Sequence, residues 1–152
     1  MDYSKLKIKM NDLCLQTVGD RLDVIEKNLK DLMDAKQNET KSSAGDKYET
    51  GRAMIQNQEE LYKTQRAQTR QTLHTLLKID PHCTSNRVEP GALVILPSGL
   101  YYISAGMGKM TVEDHDFFAL SIGSPLGQAM KFKTAGASFK FQQNEVIVLN
   151  IF

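Results

Sequence analysis

Two long stretches without proline constrain this chain more than any other feature. From Ser4 to Lys36 the only glycine is Gly19, and from Asp46 to Leu77 the only one is Gly51. Proline in a helix interior removes a hydrogen bond and clashes with the preceding turn, so both stretches are free to be helical throughout. In the first, Leu22, Ile25, Leu29 and Leu32 recur at alternating spacings of three and four, the apolar seam of a helix packed along one partner. The second is dense in Gln, Glu, Arg, Leu and Ala, all good helix formers. Between them, Asn38 to Gly45 is a run of small polar residues that predicts a turn. Two helices joined so briefly are most simply antiparallel, and about 32 residues at 1.5 Å each make arms roughly 45–50 Å long.

The second arm is unusual. Its heptad track from Met54, through Gln58, Leu61, Gln65, Gln68 and Thr72, is mostly polar and would stabilise weakly. Ile55, Tyr62, Leu73 and Leu76 offer an alternative apolar face. Such a hairpin reads as a lever, because a self-sufficient bundle would carry more apolar residues on both arms.

Ile79 to Gly91 holds two prolines among turn-forming residues, and the pattern changes beyond it. Ala92–Leu96, Leu100–Ile103, Phe117–Ile122, Ser138–Phe141 and Val146–Phe152 are rich in β-branched and aromatic residues and read as five strands. Ser124 and Pro125 suit the N-cap and first position of one short helix. The expected class is therefore α+β: a long antiparallel helical hairpin, or coiled coil, over 1–78, a linker over 79–91, and a small antiparallel β-sheet domain over 92–152.

The net charge of +1 comes from 19 basic and 18 acidic residues, spread so that neither half carries the excess expected for binding a phosphate backbone directly. A protein partner is the better expectation. No stretch resembles a signal peptide or a membrane span, so a cytoplasmic protein with no membrane association is expected; a monomer is the default expectation. Cys14 and Cys83 lie far apart, with no paired-ligand spacing, and are expected to be reduced thiols.

The sharpest local feature is Gly45-Asp46-Lys47-Tyr48-Glu49, where turn meets second helix. Asp46 and Glu49 could hold a hard cation such as Mg²⁺, which takes one or two carboxylates and completes its octahedron with water and a partner's groups. The same Asp-x-x-Glu is a capping box, with Asp46 as N-cap and Glu49 at N3. The two roles are compatible. His82-Cys83 raises the question of a thiol nucleophile, but a linker dipeptide offers no preorganised pocket for one. In Tyr101-Tyr102 and Phe117-Phe118, strand alternation predicts one core and one surface ring in each pair.

The order of hairpin, Gly-Asp-x-x-Glu tip, Pro-containing linker and β-rich region with Ser-Pro-Leu-Gly-Gln-Ala-Met resembles the Gre family of bacterial transcript-cleavage elongation factors. The tip matches at Gly45, Asp46 and Glu49, with Thr50 where Asn is usual and Ala53 where a tyrosine is usual. The second motif is met by Ser124, Pro125, Leu126, Gly127, Ala129, Lys133 and Gly136. Met130 is an apolar variant there, while Phe132 and Ala137 replace a Gly and an Asp. The departures bear on cleavage more than on architecture.

The resemblance implies an FKBP-like C-terminal domain that docks at the rim of the RNA polymerase secondary channel through Ser124, Pro125, Leu126 and Gly127, with the hairpin entering the channel. It implies no cofactor of the chain's own. Asp46 and Glu49 would share Mg²⁺ with the polymerase active site and stimulate cleavage of the 3′ end of backtracked RNA, so that the nuclease is the polymerase and contact with nucleic acid is indirect. Two rivals stand beside this reading. One is a Gre-like polymerase-binding inhibitor or regulator without cleavage, motivated by Lys47 and the missing Asn. The other is an FKBP-like prolyl isomerase or peptide-binding chaperone with a helical arm.

Overall fold

The computed structural model describes residues 1–41 and 45–152, with side chains described outside 39–49. Helices α1 (Tyr3–Lys41) and α2 (Gly45–Leu77) are followed by β1 (Leu93–Leu96), β2 (Gly99–Ile103), β3 (Gly108–Val112), β4 (His115–Leu120), α3 (Pro125–Met130), β5 (Ser138–Phe141), β6 (Asn144–Ile147) and β7 (Asn150–Ile151). The α+β class with an N-terminal helical hairpin is as expected. Among the described residues no helix is long and apolar enough to cross a membrane.

Packing divides the chain into two compact units, Met1–Gln16 with His74–Phe152, and Thr17–Leu73. This grouping cuts across the boundaries drawn at 78/79 and 91/92. The first turns of α1 pack with the sheet, and the proline-containing segment is packed as well, with Val88 fully buried.

In Thr17–Leu73 the arms are antiparallel: Glu26 of α1 meets Arg66 at 3.6 Å and Arg70 at 3.0 Å, and Lys36 meets Glu59 at 3.6 Å. Ile25, Leu29 and Leu32 of the predicted seam are buried. On α2, Met54 and Leu61 are exposed, while Ile55 and Tyr62 are half-buried. The facing stripe thus runs through Ile55, Glu59, Tyr62, Arg66 and Thr69, and the heptad track from Met54 lies off it. α1 also runs to Lys41, past the start of the expected turn at Asn38. Asn38-Glu39-Thr40-Lys41 contains neither Gly nor Pro to stop it.

In the other unit, a five-stranded sheet has the order β3-β4-β2-β1-β7, and β5-β6 form a separate hairpin. There are seven strands among the described residues, against five expected, and the sheet is mixed: β2 and β4 are parallel, pairing Leu100 with Phe117 and Ile103 with Leu120. The strand missed in sequence is β3, which makes antiparallel partners with β4 from Gly108–Ala119 to Val112–His115. Along the chain it falls between the two parallel strands, but in the sheet it is the edge beside β4, and the chain turns back through Glu113 and Asp114, both at positive φ. The expected final strand splits into β6 and β7.

Alternation gives the sheet two buried faces. Val94, Leu96 and Ile103 join Met130 of α3, Phe139 of β5, Val148 and Ile151 in one core cluster. The opposite face carries Leu93, Tyr102, Phe117 and Ala119, all buried, and there Tyr102 meets Asn11 of α1. On α1, Leu6, Met10 and Cys14 are buried at spacings of four.

Candidate functional site

Asp46 and Glu49 stand in the first turn of α2, whose backbone is helical from Gly45. Their side chains lie outside the described residues, and so does the capping box read from them. Below the tip, Glu59 accepts from Lys63 at 2.9 Å and faces Lys36. The bonded Lys63 ammonium, with the charge of Lys36 added, holds the Glu59 carboxyl below the usual carboxylate range. These pairs and the Glu26 pairs set the register of the arms more than they stabilise it, since exposed ion pairs contribute little. A groove of about 530 Å³ runs between the arms beside Val24, Ile25, Gln65 and Gln68, where the polar track of α2 leaves the apolar side of α1 uncovered.

Ser124, Pro125, Leu126 and Gly127 form the start of α3. Ser124 is the N-cap, with φ −66° and ψ 161°, and its Oγ accepts from Gly127 N–H at 3.0 Å. Pro125 occupies the first turn, where a missing N–H costs nothing. Gly127 is buried, and a Cβ there would collide with Ser121 O and stand 2.7 Å from Ile122 O. Leu126 packs against the core cluster and Met130 lies within it. Packing explains Ser124, Leu126 and Gly127 without a partner; Pro125 and Gln128 are exposed. The Gln128 side chain donates to Ile122 O at 2.9 Å, tying the helix to the preceding turn.

His82-Cys83 is not an activated nucleophile. The Cys83 thiol donates to Asp80 Oδ2 at 3.4 Å, and that carboxylate pushes the thiol pKa up. His82 contributes its backbone N–H to Asp80 Oδ1 at 2.9 Å, which helps hold Asp80 below the usual carboxylate range. Activation would need the opposite shift. The segment serves instead to bind Lys7, which sequence reading missed. Lys7 is 2% exposed, and its ammonium donates to Cys83 O at 2.6 Å. Burial lowers its pKa.

The aromatic pairs behave as alternation predicts. Tyr102 and Phe117 are fully buried, whereas Tyr101 and Phe118 stack on each other at 5.3 Å, with Phe118 exposed. Cys14 is buried with its Sγ 3.8 Å from Met110 Sδ, and burial pushes its pKa up to about 11. Among the described residues no three His, Cys, Asp or Glu side chains gather where they could hold a metal.

Tyr3 stacks on Phe152 at 4.8 Å, and Lys9 pairs with Glu113, so the first turns of α1 engage the sheet unit at several separate points. The recurrence of Leu6, Met10 and Cys14 every fourth residue was the available signal for that contact.

No protein-family model matches this chain, and no curated protein matches it either. Among solved structures it is similar to the transcription factor Gfh1, with a TM-score of 0.36 and 15% identity over 91% of this chain and 92% of that one.

Proposed function

We propose that this chain binds RNA polymerase at its secondary channel and stimulates cleavage of backtracked RNA. The observation that carries the reading is the coincidence of motif and hairpin: Gly45, Asp46 and Glu49 begin the second arm of an antiparallel helix pair, where α1 has just ended at Lys41. A globular enzyme has little use for an acidic pair there. A factor that must reach a recessed active site does.

Two carboxylates are hard oxygen donors suited to Mg²⁺, but they are too few to hold it alone. Asp46 and Glu49 would supply part of the coordination, and the polymerase the rest. Bound Mg²⁺ would polarise the scissile phosphodiester and lower the pKa of the attacking water. The rest of this chain acts by positioning. The arms, registered by Glu26 and Glu59, carry the acids, and the sheet unit, read as an FKBP-like docking module, fixes the chain on the polymerase.

The replacement of the usual Asn by Thr50 and the usual tyrosine by Ala53 favours a second reading, in which the chain occupies the channel and retunes or inhibits the polymerase without cleavage. Binding to purified cognate polymerase, followed by a cleavage assay on backtracked complexes, tests both. Binding with shortened RNA supports the first reading, binding without it supports the second, and no binding overturns both.

A further inference from the structure

Phe132 follows α3 with a φ of +61°, in the left-handed region that suits glycine. For a bulky side chain this is an outlier, because Cβ crowds the neighbouring carbonyl. The backbone is pinned there. Phe132 N–H donates to Val88 O at 2.9 Å, Lys133 N–H to Met130 O at 3.0 Å, and Val88 N–H to Lys133 O at 2.9 Å. The strained residue gains little from packing in return, since it is 54% exposed. Two cations approach its ring, with the Arg87 guanidinium 4.9 Å and the Lys131 ammonium 5.0 Å from the centroid. Arg87 also pairs with Glu89 at 2.8 Å. The two cations at the ring, set against the one acid that pairs with Arg87, leave the patch net positive.

Strain held in place without a packing gain points to work done outside the chain. We propose that Phe132 anchors a docking surface, framed by Arg87 and Lys131, for an acidic segment of a protein partner. The ring enters an apolar cleft beside the partner's carboxylates. An aromatic anchor supplies the desolvated centre of such a contact, while the cations select the partner's charge and speed encounter. The inference rests on the reading above, which makes the partner RNA polymerase. It assigns the main contact to the C-terminal end of α3, because Leu126 and Gly127 at its start are committed to packing.

The test is equilibrium binding of the full chain to purified cognate polymerase at low and high salt, with thermal unfolding of each variant. Phe132→Gly should unfold at a higher temperature than the parent, since strain is removed, yet bind about tenfold or more weakly. Phe132→Tyr should bind as the parent does. The double variant Arg87→Glu with Lys131→Glu should weaken binding and reduce its salt dependence. Parent-like binding by Phe132→Gly overturns the anchor and leaves the polymerase reading standing. Loss of both stability and binding makes the ring structural and also overturns it. Absence of binding by the parent overturns the polymerase reading, and the anchor with it.

Discussion

The phenolic hydroxyl of Tyr102 donates to Asn11 Oδ1 at 2.9 Å, and both residues are buried. The bond joins the N-terminal part of α1 to β2 one residue before its end. Burial, before any nearby charge, raises the Tyr102 pKa far above the ordinary phenol value, so the donor keeps its hydrogen. Tyr102→Phe leaves Asn11 unpaired in the interior and should cost about 1–3 kcal/mol by urea unfolding. Asn11→Ala should cost a similar amount, and the double variant less than the two together. Strict additivity would mean that the bond contributes nothing.

The start of α3 gives a graded pair of changes. Ser124→Ala removes the cap on Gly127 N–H and should cost about 0.5–2 kcal/mol. Gly127→Ala drives a methyl into the Ser121 and Ile122 carbonyls and should cost about 1–3 kcal/mol or more, because backbone must move. If Gly127→Ala is as stable as the parent, the close approach at this helix start is incorrect.

Cys14 makes stability depend on alkaline pH. Its folded pKa is raised to about 11 from the ordinary 9.0, so between these values the folded state holds a proton that the unfolded state has lost. Stability should therefore be complete below about pH 9 and fall by about 2–3 kcal/mol toward pH 11. Lys7 has the opposite sign: its lowered pKa makes stability rise with pH up to its unfolded value of 10.5. The decisive measurement is the difference between parent and Cys14→Val in urea unfolding from pH 8 to pH 11. A flat difference curve would remove Cys14 as the source. In the folded protein only the exposed Cys83 should react with a thiol reagent at pH 8.

The features legible in sequence were those set by local chemistry. Proline-free stretches gave the arms, Ser124-Pro125 gave the helix start, and alternation sorted Tyr101 from Tyr102. What escaped depends on contacts remote in sequence. β3 carries little apolar signal because it is an edge strand, with Gly108, Lys109 and Thr111 exposed and only Met110 and Val112 half-buried. The parallel pairing of β2 with β4 goes with β3 intervening in the chain between them while sitting at the sheet edge, which no residue of either strand announces. On α2 the heptad from Met54 competed with the stripe through Ile55 and Tyr62, and cross-arm partners decided between them.

That competition on α2 can be measured. Tyr62 is half-buried on the stripe facing α1, and Leu61 beside it is 54% exposed. Tyr62→Ala should lower hairpin stability by about 1–3 kcal/mol. Leu61→Ala should change it by no more than about 0.5 kcal/mol, as at other surface positions. Circular dichroism melts of the full chain read both, and equal losses would return the seam to the heptad track.

Metal chemistry and helix stabilisation assign different work to Asp46, and two substitutions separate them. A carboxylate in the first turn of a helix contributes about 0.3–1 kcal/mol through the positive helix terminus. With the backbone already helical at Gly45, Asp46 stands inside the first turn, where Asn and Ala each forgo no more than about that contribution. Mg²⁺ makes a stricter demand, because the neutral amide of Asn is a poor substitute for a carboxylate ligand. Asp46→Asn should therefore leave the thermal unfolding of the chain nearly unchanged and reduce cleavage of backtracked RNA by at least about tenfold, with polymerase binding retained. Asp46→Ala should lose cleavage to the same extent and add a small loss of stability. Glu49→Gln should follow Asp46→Asn. If Asp46→Asn supports cleavage as well as the parent does, Asp46 serves the helix only. If the parent binds polymerase and cleaves nothing, the regulator without cleavage becomes the function. Thr50→Asn combined with Ala53→Tyr would then be expected to restore cleavage only if Asp46 and Glu49 retain the geometry to share the metal.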